Sequence, residues 1–330
     1  MANNKDFKVK NGIKPAAYQE AVGTATSGSV AVGYDLSVAA YDSVEFSIVS
    51  QDTSPRGMTF NNDGTKMYIV GSGNDSVFQY SLSTGFDLST ASYDSVSFSV
   101  ASQDTTPIGL SFNNDGTKMY IIGNSSNTVY QYSLSTGFNL STASYDSVSF
   151  SVSSQESSSQ DLAFNNDGTK MYIVGSGSNT VYQYSLSTGF NLSTASYDSV
   201  SFSAASQEGS VRGMTFKSDG TKMYVTGALN DSVYQYSLST AFDISTATYD
   251  NESFSLASQT TAPNGITFSY NGTKLYMVTG SGDKVFQYST GSTLATATLD
   301  LSTGSVFEVT PTANTQVSLS NPAASGTVSS

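Results

Sequence analysis

Short apolar runs separated by polar turns follow one another along most of this chain. Within one stretch, residues 109–112 and 118–122 are apolar on both faces, whereas residues 128–134 are rich in aromatic and β-branched side chains. Residues 145–152 alternate apolar residues with serine, as expected for a strand with one face in water. The pattern predicts four antiparallel strands, here called a, b, c and d, and very little helix.

This four-strand pattern recurs five times along the chain. The turn between strands a and b reads Asn-Asn-Asp-Gly-Thr or a close variant, and its central residue recurs every 52 residues. Residues 128–151 and 180–203 are identical at every position. Units of four strands at a period near 50 residues are typical of β-propeller blades, so we predict an all-β, five-bladed propeller. The central turn residues are Asp63, Asp115, Asp167, Asp219 and Asn271.

The two ends of the repeat indicate how the ring closes. Residues 42–50 resemble a strand d but precede the first strand a, and the last a-b-c set, residues 265–288, has no strand d after it. We therefore expect the N-terminal strand to complete the last blade, which removes the exposed edges of an open array. The predicted domains are an N-terminal anchor or linker at 1–33, the propeller at 34–292 and a C-terminal β-module at 293–330.

The units differ mainly in two connections, from d to a and from b to c, which emerge on the same face of an up-down blade. Loops on a rigid scaffold commonly carry recognition, so this variable face is the predicted binding surface. The alternative is that these loops vary because nothing constrains them. The candidate ligand-binding residues are Arg56, Asn74, Asp75, Gln160, Arg212, Asn230, Asp231, Asn264 and Asp283.

Composition narrows the chemistry that this chain can perform. With 13 Lys and Arg against 26 Asp and Glu, the net charge of −13 argues against nucleic acid or an anionic membrane surface as a partner. The chain has no cysteine and no histidine, which excludes thiolate catalysis, a Ser-His-Asp triad and zinc held by these side chains. No apolar run approaches the ~18 residues of a membrane helix, and the first residues lack a secretory signal. We expect no metal and no cofactor.

The acidic residues fall into two groups. Those repeated in every blade, such as Asp94 and Asp146, mark structural positions, whereas the unrepeated acids are scattered among different strands and loops: Glu45, Asp161, Glu252 and Asp283. Glycoside hydrolysis by two carboxylates needs both acids in one pocket, about 5–10 Å apart. We therefore predict no catalytic residues and no enzymatic activity, with a glycosidase-type propeller as the third alternative for function.

Three segments carry a family resemblance. The Asp-Gly-Thr-Lys-X-Tyr turn at residues 63–68 resembles that of YVTN-type and WD40-like β-propeller repeats. The run Asp-Phe-Lys-Val-Lys-Asn-Gly at residues 6–12 looks like the opening of structural proteins of tailed phages, and residues 297–327 are similar to a β-module of phage tail fibres. In that family the module runs on into further strands. The resemblance therefore implies that the C-terminal module is either incomplete or completed by another subunit in a homo-oligomer.

From the resemblance we predict a virion structural protein, a tail-fibre or other surface-appendage component located in the virion. It implies that the N-terminal segment contacts other virion proteins and that the propeller meets the host cell. A neutral or mildly charged host-surface glycan is the predicted ligand, because the variable face offers Asn, Asp, Gln and Arg to sugar hydroxyls. The alternative is a bacterial surface or extracellular binding module.

Overall fold

The computed structural model describes residues 23–301 and 316–319, with side chains described for residues 33–291. The chain forms two compact units, one spanning residues 33–291 and the other containing the terminal strands. Beyond those terminal strands, the predicted anchor at 1–33 and module at 293–330 lie outside the described residues. No helix in the described part of the chain is long and apolar enough to cross a membrane.

Twenty of the strands form five four-stranded antiparallel sheets. In chain order, β1 (Gly23–Val32) precedes the propeller and β2 (Ala40–Ser47) enters it. Blade 1 contains β3 (Pro55–Phe60), β4 (Lys66–Gly71), β5 (Ser76–Leu82) and β6 (Ala91–Ser99). Blade 2 contains β7 (Pro107–Phe112), β8 (Lys118–Gly123), β9 (Thr128–Leu134) and β10 (Ala143–Ser151). Blade 3 contains β11 (Ser159–Phe164), β12 (Lys170–Gly175), β13 (Thr180–Leu186) and β14 (Ala195–Ser203).

The remaining two blades complete the ring. Blade 4 contains β15 (Val211–Phe216), β16 (Lys222–Gly227), β17 (Ser232–Leu238) and β18 (Ala247–Ser255). Blade 5 contains β19 (Pro263–Phe268), β20 (Lys274–Thr279) and β21 (Lys284–Ser289), and its outer strand is β2. The predicted five-bladed fold is therefore confirmed, including its closure by the N-terminal strand. In the other unit, β1 pairs antiparallel with β22 (Ser292–Leu301), which pairs parallel with β23 (Gln316–Leu319).

Burial within each blade follows the predicted strand order. In blade 1, β4 and β5 are almost wholly buried, whereas β6 alternates half-buried and exposed residues. Strand β6 also contains a bulge, at which Ser95 has a φ of 59°. The bulge directs the Asp94 carboxylate inward, where it accepts hydrogen bonds from Lys66 Nζ at 2.7 Å and Gln79 Nε2 at 2.8 Å. The same ion pair recurs in all five blades, which confirms that these repeated acids are structural.

Polar bonds also join each blade to the next. The Gln79 side-chain oxygen of blade 1 accepts from the backbone N–H of Leu140, which begins a short 3₁₀ turn of blade 2. The Tyr68 hydroxyl donates to the Phe138 carbonyl of the same connection at 2.5 Å. Equivalent tyrosine bonds join every neighbouring pair of blades, including blade 5 to blade 1. The 3₁₀ turns are Leu36–Val38, Leu88–Thr90, Leu140–Thr142, Leu192–Thr194 and Ile244–Thr246.

Candidate functional site

The five inner strands meet around the axis of the ring at a layer to which four of them contribute a glycine. A methyl group placed on Gly57 would lie 2.5 Å from the Ile108 carbonyl oxygen and 3.1 Å from the Gly109 Cα. Gly213 and Gly265 approach each other in the same way. Such short separations leave no room for a side chain at these glycines, so the backbone itself constricts the axis there.

Immediately before this layer, each inner strand places one residue at what we call the axial mouth. The mouth lies on the loop face, the face formed by the d-to-a and b-to-c connections. It brings together four of the nine predicted ligand-binding residues, together with one isoleucine. The residues of the axial mouth are Arg56, Ile108, Gln160, Arg212 and Asn264.

Hydrogen bonds hold several of these side chains in place. Arg212 Nη1 donates to Gln160 Oε1 at 3.3 Å, and Gln160 Nε2 donates in turn to Ser176 Oγ at 3.2 Å. Arg56 Nε donates to Ser72 Oγ at 3.3 Å, and Asn264 Nδ2 donates to the Pro55 carbonyl at 2.8 Å. Gln160 and Asn264 are buried, whereas both arginines are partly exposed. The mouth is therefore a fixed polar floor from which two guanidinium groups reach the solvent.

Electrostatics distinguish these arginines from the other cationic groups of the propeller. All seven lysines within residues 33–291 form ion pairs with Asp or Glu. Arg56 and Arg212, the only arginines in the chain, have no carboxylate within 4.0 Å among those residues. Burial lowers the pKa of Arg56, and the neighbouring charge of Arg212 lowers it further. Within residues 33–291, these two like charges thus influence each other and neither forms an ion pair with a carboxylate.

The five other predicted residues lie in the b-to-c turns and make contacts within the fold. Asn74 Nδ2 donates to the Gln51 carbonyl at 2.6 Å, and Asn230 makes the equivalent bond to Gln207 at 2.7 Å. Both bonds tie a b-to-c turn to the d-to-a connection beside it. The predicted binding residues therefore divide into an axial group and a peripheral group, and the structure does not bring the two groups together.

The three aspartates of the peripheral group occupy the left-handed position of their turns. Asp75, Asp231 and Asp283 have φ values of 46°, 47° and 51°, and in each the Oδ1 atom is buried without a hydrogen-bond partner among the described residues. Burial raises the pKa of all three carboxyl groups. Blades 2 and 3 have Asn127 and Asn179 at this position, whose oxygens accept backbone N–H bonds from the next blade.

One unrepeated acid lies on the axis itself, a position that the sequence analysis did not predict. Asp161 stands where the other blades have Gly57, Gly109, Gly213 and Gly265. Its carboxylate accepts hydrogen bonds from the backbone N–H groups of Leu162 at 2.8 Å and Met214 at 3.0 Å. Burial raises the pKa of Asp161 to about 7, although these two N–H groups act in the opposite direction. An alignment of the five inner strands would have shown this one acid among four glycines.

Asp161 also lines an axial cavity of 190 Å³. Four hydroxyl side chains line its wall, one from each blade except blade 3, which contributes Ala163. The cavity also touches Lys217 and Ser218 in the a-to-b turn of blade 4. Asp161 is the only carboxylate in this lining, whereas glycoside hydrolysis by two acids requires a second. The four hydroxyl residues are Thr59, Ser111, Thr215 and Thr267.

The described residues contain no group of three or more His, Cys, Asp or Glu side chains that could hold a metal ion.

In the repeated Asn-Asn-Asp-Gly-Thr turn, the aspartate forms hydrogen bonds within the turn itself. Asp63 Oδ1 accepts from the Thr65 backbone N–H at 3.0 Å and from the Thr65 hydroxyl at 2.6 Å. These bonds hold the pKa of Asp63 below its ordinary value. The carboxylate thus stabilises the hairpin turn.

Comparison with known proteins finds neither a matching family model nor a matching curated protein. Among solved structures, a functionally unknown protein from Desulfotomaculum acetoxidans is 13% identical with a TM-score of 0.43, over 68% of this chain and 62% of that one. A putative 6-phosphogluconolactonase from Bacteroides uniformis is 14% identical with a TM-score of 0.45, over 71% and 67%. The β-propeller domain of Cps50 (Swd1) from Myceliophteria thermophila is 9% identical with a TM-score of 0.42, over 71% and 83%.

These similarities concern the fold alone, and the chain spans less than two thirds of the Desulfotomaculum protein. The prediction of no enzymatic activity is nevertheless contradicted, because the similar folds include that of a putative 6-phosphogluconolactonase, and the fold itself therefore does not exclude an enzyme. The physical reason is that a catalytic site needs only a few side chains on a fold. Neither the lack of histidine and cysteine nor the repetition of most acids rules out such a site.

Proposed function

We propose that this protein is a recognition module of a virion surface appendage, such as a tail fibre, and that its axial mouth binds a glycan of the host cell surface. The single observation that carries the proposal is the convergence of Arg56, Gln160, Arg212 and Asn264 around the axis. These positions differ in nearly every blade although the blades are otherwise repeated. Side chains whose identity the fold does not determine, but which lie together at one place, are suited to binding.

The opposite face of the ring supports this choice of surface. There the a-to-b turns of successive blades are joined by the same bond, in which Asn62 Nδ2 donates to the Asn114 carbonyl at 2.7 Å and Asn114 donates to the Asn166 carbonyl at 2.6 Å. Repeated side chains that bond to one another are explained by the fold. At the mouth, Arg56 and Arg212 have polar atoms that no described residue engages.

A glycan is the proposed ligand because the mouth presents hydrogen-bonding groups that are held in fixed positions. Sugar hydroxyls both donate and accept, and they pair with guanidinium and amide groups. Long polyanions such as nucleic acid are disfavoured, because the whole chain carries a net charge of −13.

The virion setting rests on sequence resemblance. Residues 6–12, which resemble the opening of phage structural proteins, lie outside the described residues. The alternative setting, a bacterial surface or extracellular module, would use the same mouth. Neighbouring tail or capsid genes support the virion setting, and their absence would contradict it.

Glycan-array binding tests the proposed site. We expect the double substitution Arg56→Ala, Arg212→Ala to reduce binding at least tenfold while the melting temperature changes little. Tyr270→Ala is the control, because this tyrosine is 74% exposed on the opposite face. Undiminished binding by the double variant, or binding lost through Tyr270→Ala, would place recognition elsewhere.

A further inference from the structure

We propose that the axial mouth recognises an acidic sugar, and that Arg56 and Arg212 bind its carboxylate. This inference rests on the proposed function and specifies its ligand. Charge pairing is the first argument. The propeller neutralises each of its lysines with its own Asp or Glu, yet it leaves the only two arginines of the chain together without one.

Several guanidinium nitrogens of the two arginines have no hydrogen-bond partner among the described residues. Arg212 Nε is buried and has no hydrogen-bond partner among the described residues. Arg212 uses Nη1 for Gln160, and Arg56 uses Nε for Ser72. The other nitrogens of both groups make no hydrogen bond within residues 33–291. A carboxylate can accept several such bonds at once, which is the geometry that guanidinium groups favour.

Nearby acids do not already fill this role. The charge of Asp52 raises the pKa of Arg56, but its carboxylate accepts from the backbone N–H groups of Ser54 at 2.6 Å and Asn74 at 3.0 Å. Asp161 follows Gln160 in the chain, but it is bonded to the N–H groups of Leu162 and Met214. Both carboxylates are therefore bonded to the backbone, and within residues 33–291 neither forms an ion pair with Arg56 or Arg212.

The combined charge of Arg56 and Arg212 favours a ligand with a single anionic group in an otherwise neutral saccharide. Two arginines balance one carboxylate with one charge to spare, whereas the acidic remainder of the protein repels a strongly anionic polymer. Gln160 fixes the orientation of Arg212 by accepting a hydrogen bond from its Nη1. A terminal uronic acid or another carboxylated sugar combines the required charge and hydroxyls.

Isothermal titration with D-glucuronate and with its neutral methyl ester, on the full chain, tests this inference. We expect the acid to bind at least tenfold more tightly than the ester, and its affinity to fall as sodium chloride rises from 50 to 500 mM. Arg212→Gln should remove most of the difference between acid and ester, and Arg212→Lys should retain part of it. Lys217→Gln is the control variant, since it removes a cation from the opposite face, and we expect it to change nothing.

Equal binding of acid and ester would overturn this inference. If both were lost in the Arg56→Ala, Arg212→Ala variant, the mouth would still be a sugar site and the proposed function would stand. Binding of the acid that persists in Arg212→Gln would also overturn the inference. If neither compound bound and the glycan array were blank, the proposed function would fail as well. Should Arg212→Gln not fold, the comparison of acid and ester on the unmodified protein decides.

Discussion

At the scale of single residues, the choice between Asn and Asp in the b-to-c turns follows the first residue of the next blade. Asn127 faces Ser159 and Asn179 faces Val211, and each asparagine oxygen accepts the backbone N–H of its neighbour at 3.0 Å. The other three blades have aspartate, and their neighbours at this position are prolines, which have no N–H. The turn aspartates are Asp75, Asp231 and Asp283, and the prolines are Pro107, Pro263 and Pro55.

This correlation is visible in the sequence, but its meaning requires the contact between blades. Asp75, Asp231 and Asp283 entered the candidate binding set because they vary between repeats. Their variation has a local cause, which the sequence analysis did not consider. The arginines at the mouth have no such local explanation, and the binding proposal therefore rests on them.

Asp75→Asn should stabilise the protein at neutral pH. Burial and the charges of Asp104 and Asp52 raise the pKa of Asp75, so its charged form is disfavoured in the folded state. The charged carboxylate therefore lowers the stability of the folded protein at pH 7. This effect is absent below the ordinary pKa of 3.8, where the carboxyl group is protonated in both states. We expect a gain of about 0.5 kcal/mol at pH 7 that disappears at pH 3, measured by denaturant unfolding. A loss of stability at pH 7 would show that the carboxylate has a partner.

Asp161→Gly restores the residue of the other four blades and should change how stability depends on pH. Burial raises the pKa of Asp161 from 3.8 to about 7, so the folded protein favours the protonated form. The wild type should lose stability relative to the variant as the pH rises from 4 towards 7. Each unit by which the pKa is raised corresponds to a loss of about 1.4 kcal/mol in the free energy of unfolding. Urea unfolding at pH 4, 5.5 and 7.5 measures the difference. A stability difference between wild type and variant that does not change with pH would contradict the raised pKa of Asp161.

At the scale of strands and turns, periodicity predicted most of the blade. Strand c of blade 2 has the predicted bounds, residues 128–134. Strand d begins two residues earlier than predicted, at Ala143. The bulge at Ser147 and the 3₁₀ turn Leu140–Thr142 were not predicted, because both depend on partners outside their own segment. The bulge positions Asp146 for its ion pair with Lys118, and the turn donates the Leu140 backbone N–H to the Gln79 side-chain oxygen of the preceding blade.

Tyr68→Phe should weaken the joint between blades 1 and 2 without disturbing the packing. The tyrosine is fully buried, and its hydroxyl is a hydrogen-bond donor to the Phe138 carbonyl. Removing the hydroxyl leaves that carbonyl without this donor, at a cost of about 1–3 kcal/mol. Thermal or denaturant unfolding measures the loss, with exposed Tyr270→Phe as the control. Equal stability of both variants would mean that the bond between blades adds nothing.

At the scale of the whole molecule, ring closure creates the mouth. The alternation of residues 42–50 indicated that the N-terminal strand completes blade 5, and β2 does pair with β21 in that blade. Once the ring closes, the five inner strands must meet, so the sequence could predict a shared axial position. It could not show which side chains lack partners there, since that depends on distances between blades far apart in the chain.

Closure can be tested with a matched pair of substitutions. Phe46 of β2 packs edge-on against Tyr80 of blade 1, with ring centres 5.5 Å apart, and Phe98 of β6 packs in the same way against Tyr132. If β2 contributes as much as β6 to the free energy of unfolding, Phe46→Ala and Phe98→Ala should destabilise the protein equally, by about 2–3 kcal/mol each. Denaturant unfolding gives both values. A negligible effect of Phe46→Ala would show that β2 does not close the ring.

Hydrogen–deuterium exchange in the presence of D-glucuronate tests most directly whether the axial mouth is the binding site. We expect slower exchange in peptides that contain residues 53–57 and 209–213, and no change in peptides that contain the a-to-b turn at residues 61–65. The same experiment on the Arg56→Ala, Arg212→Ala variant should show no ligand-dependent protection. Protection confined to the a-to-b turns, or protection that persists in the variant, would contradict recognition at the mouth.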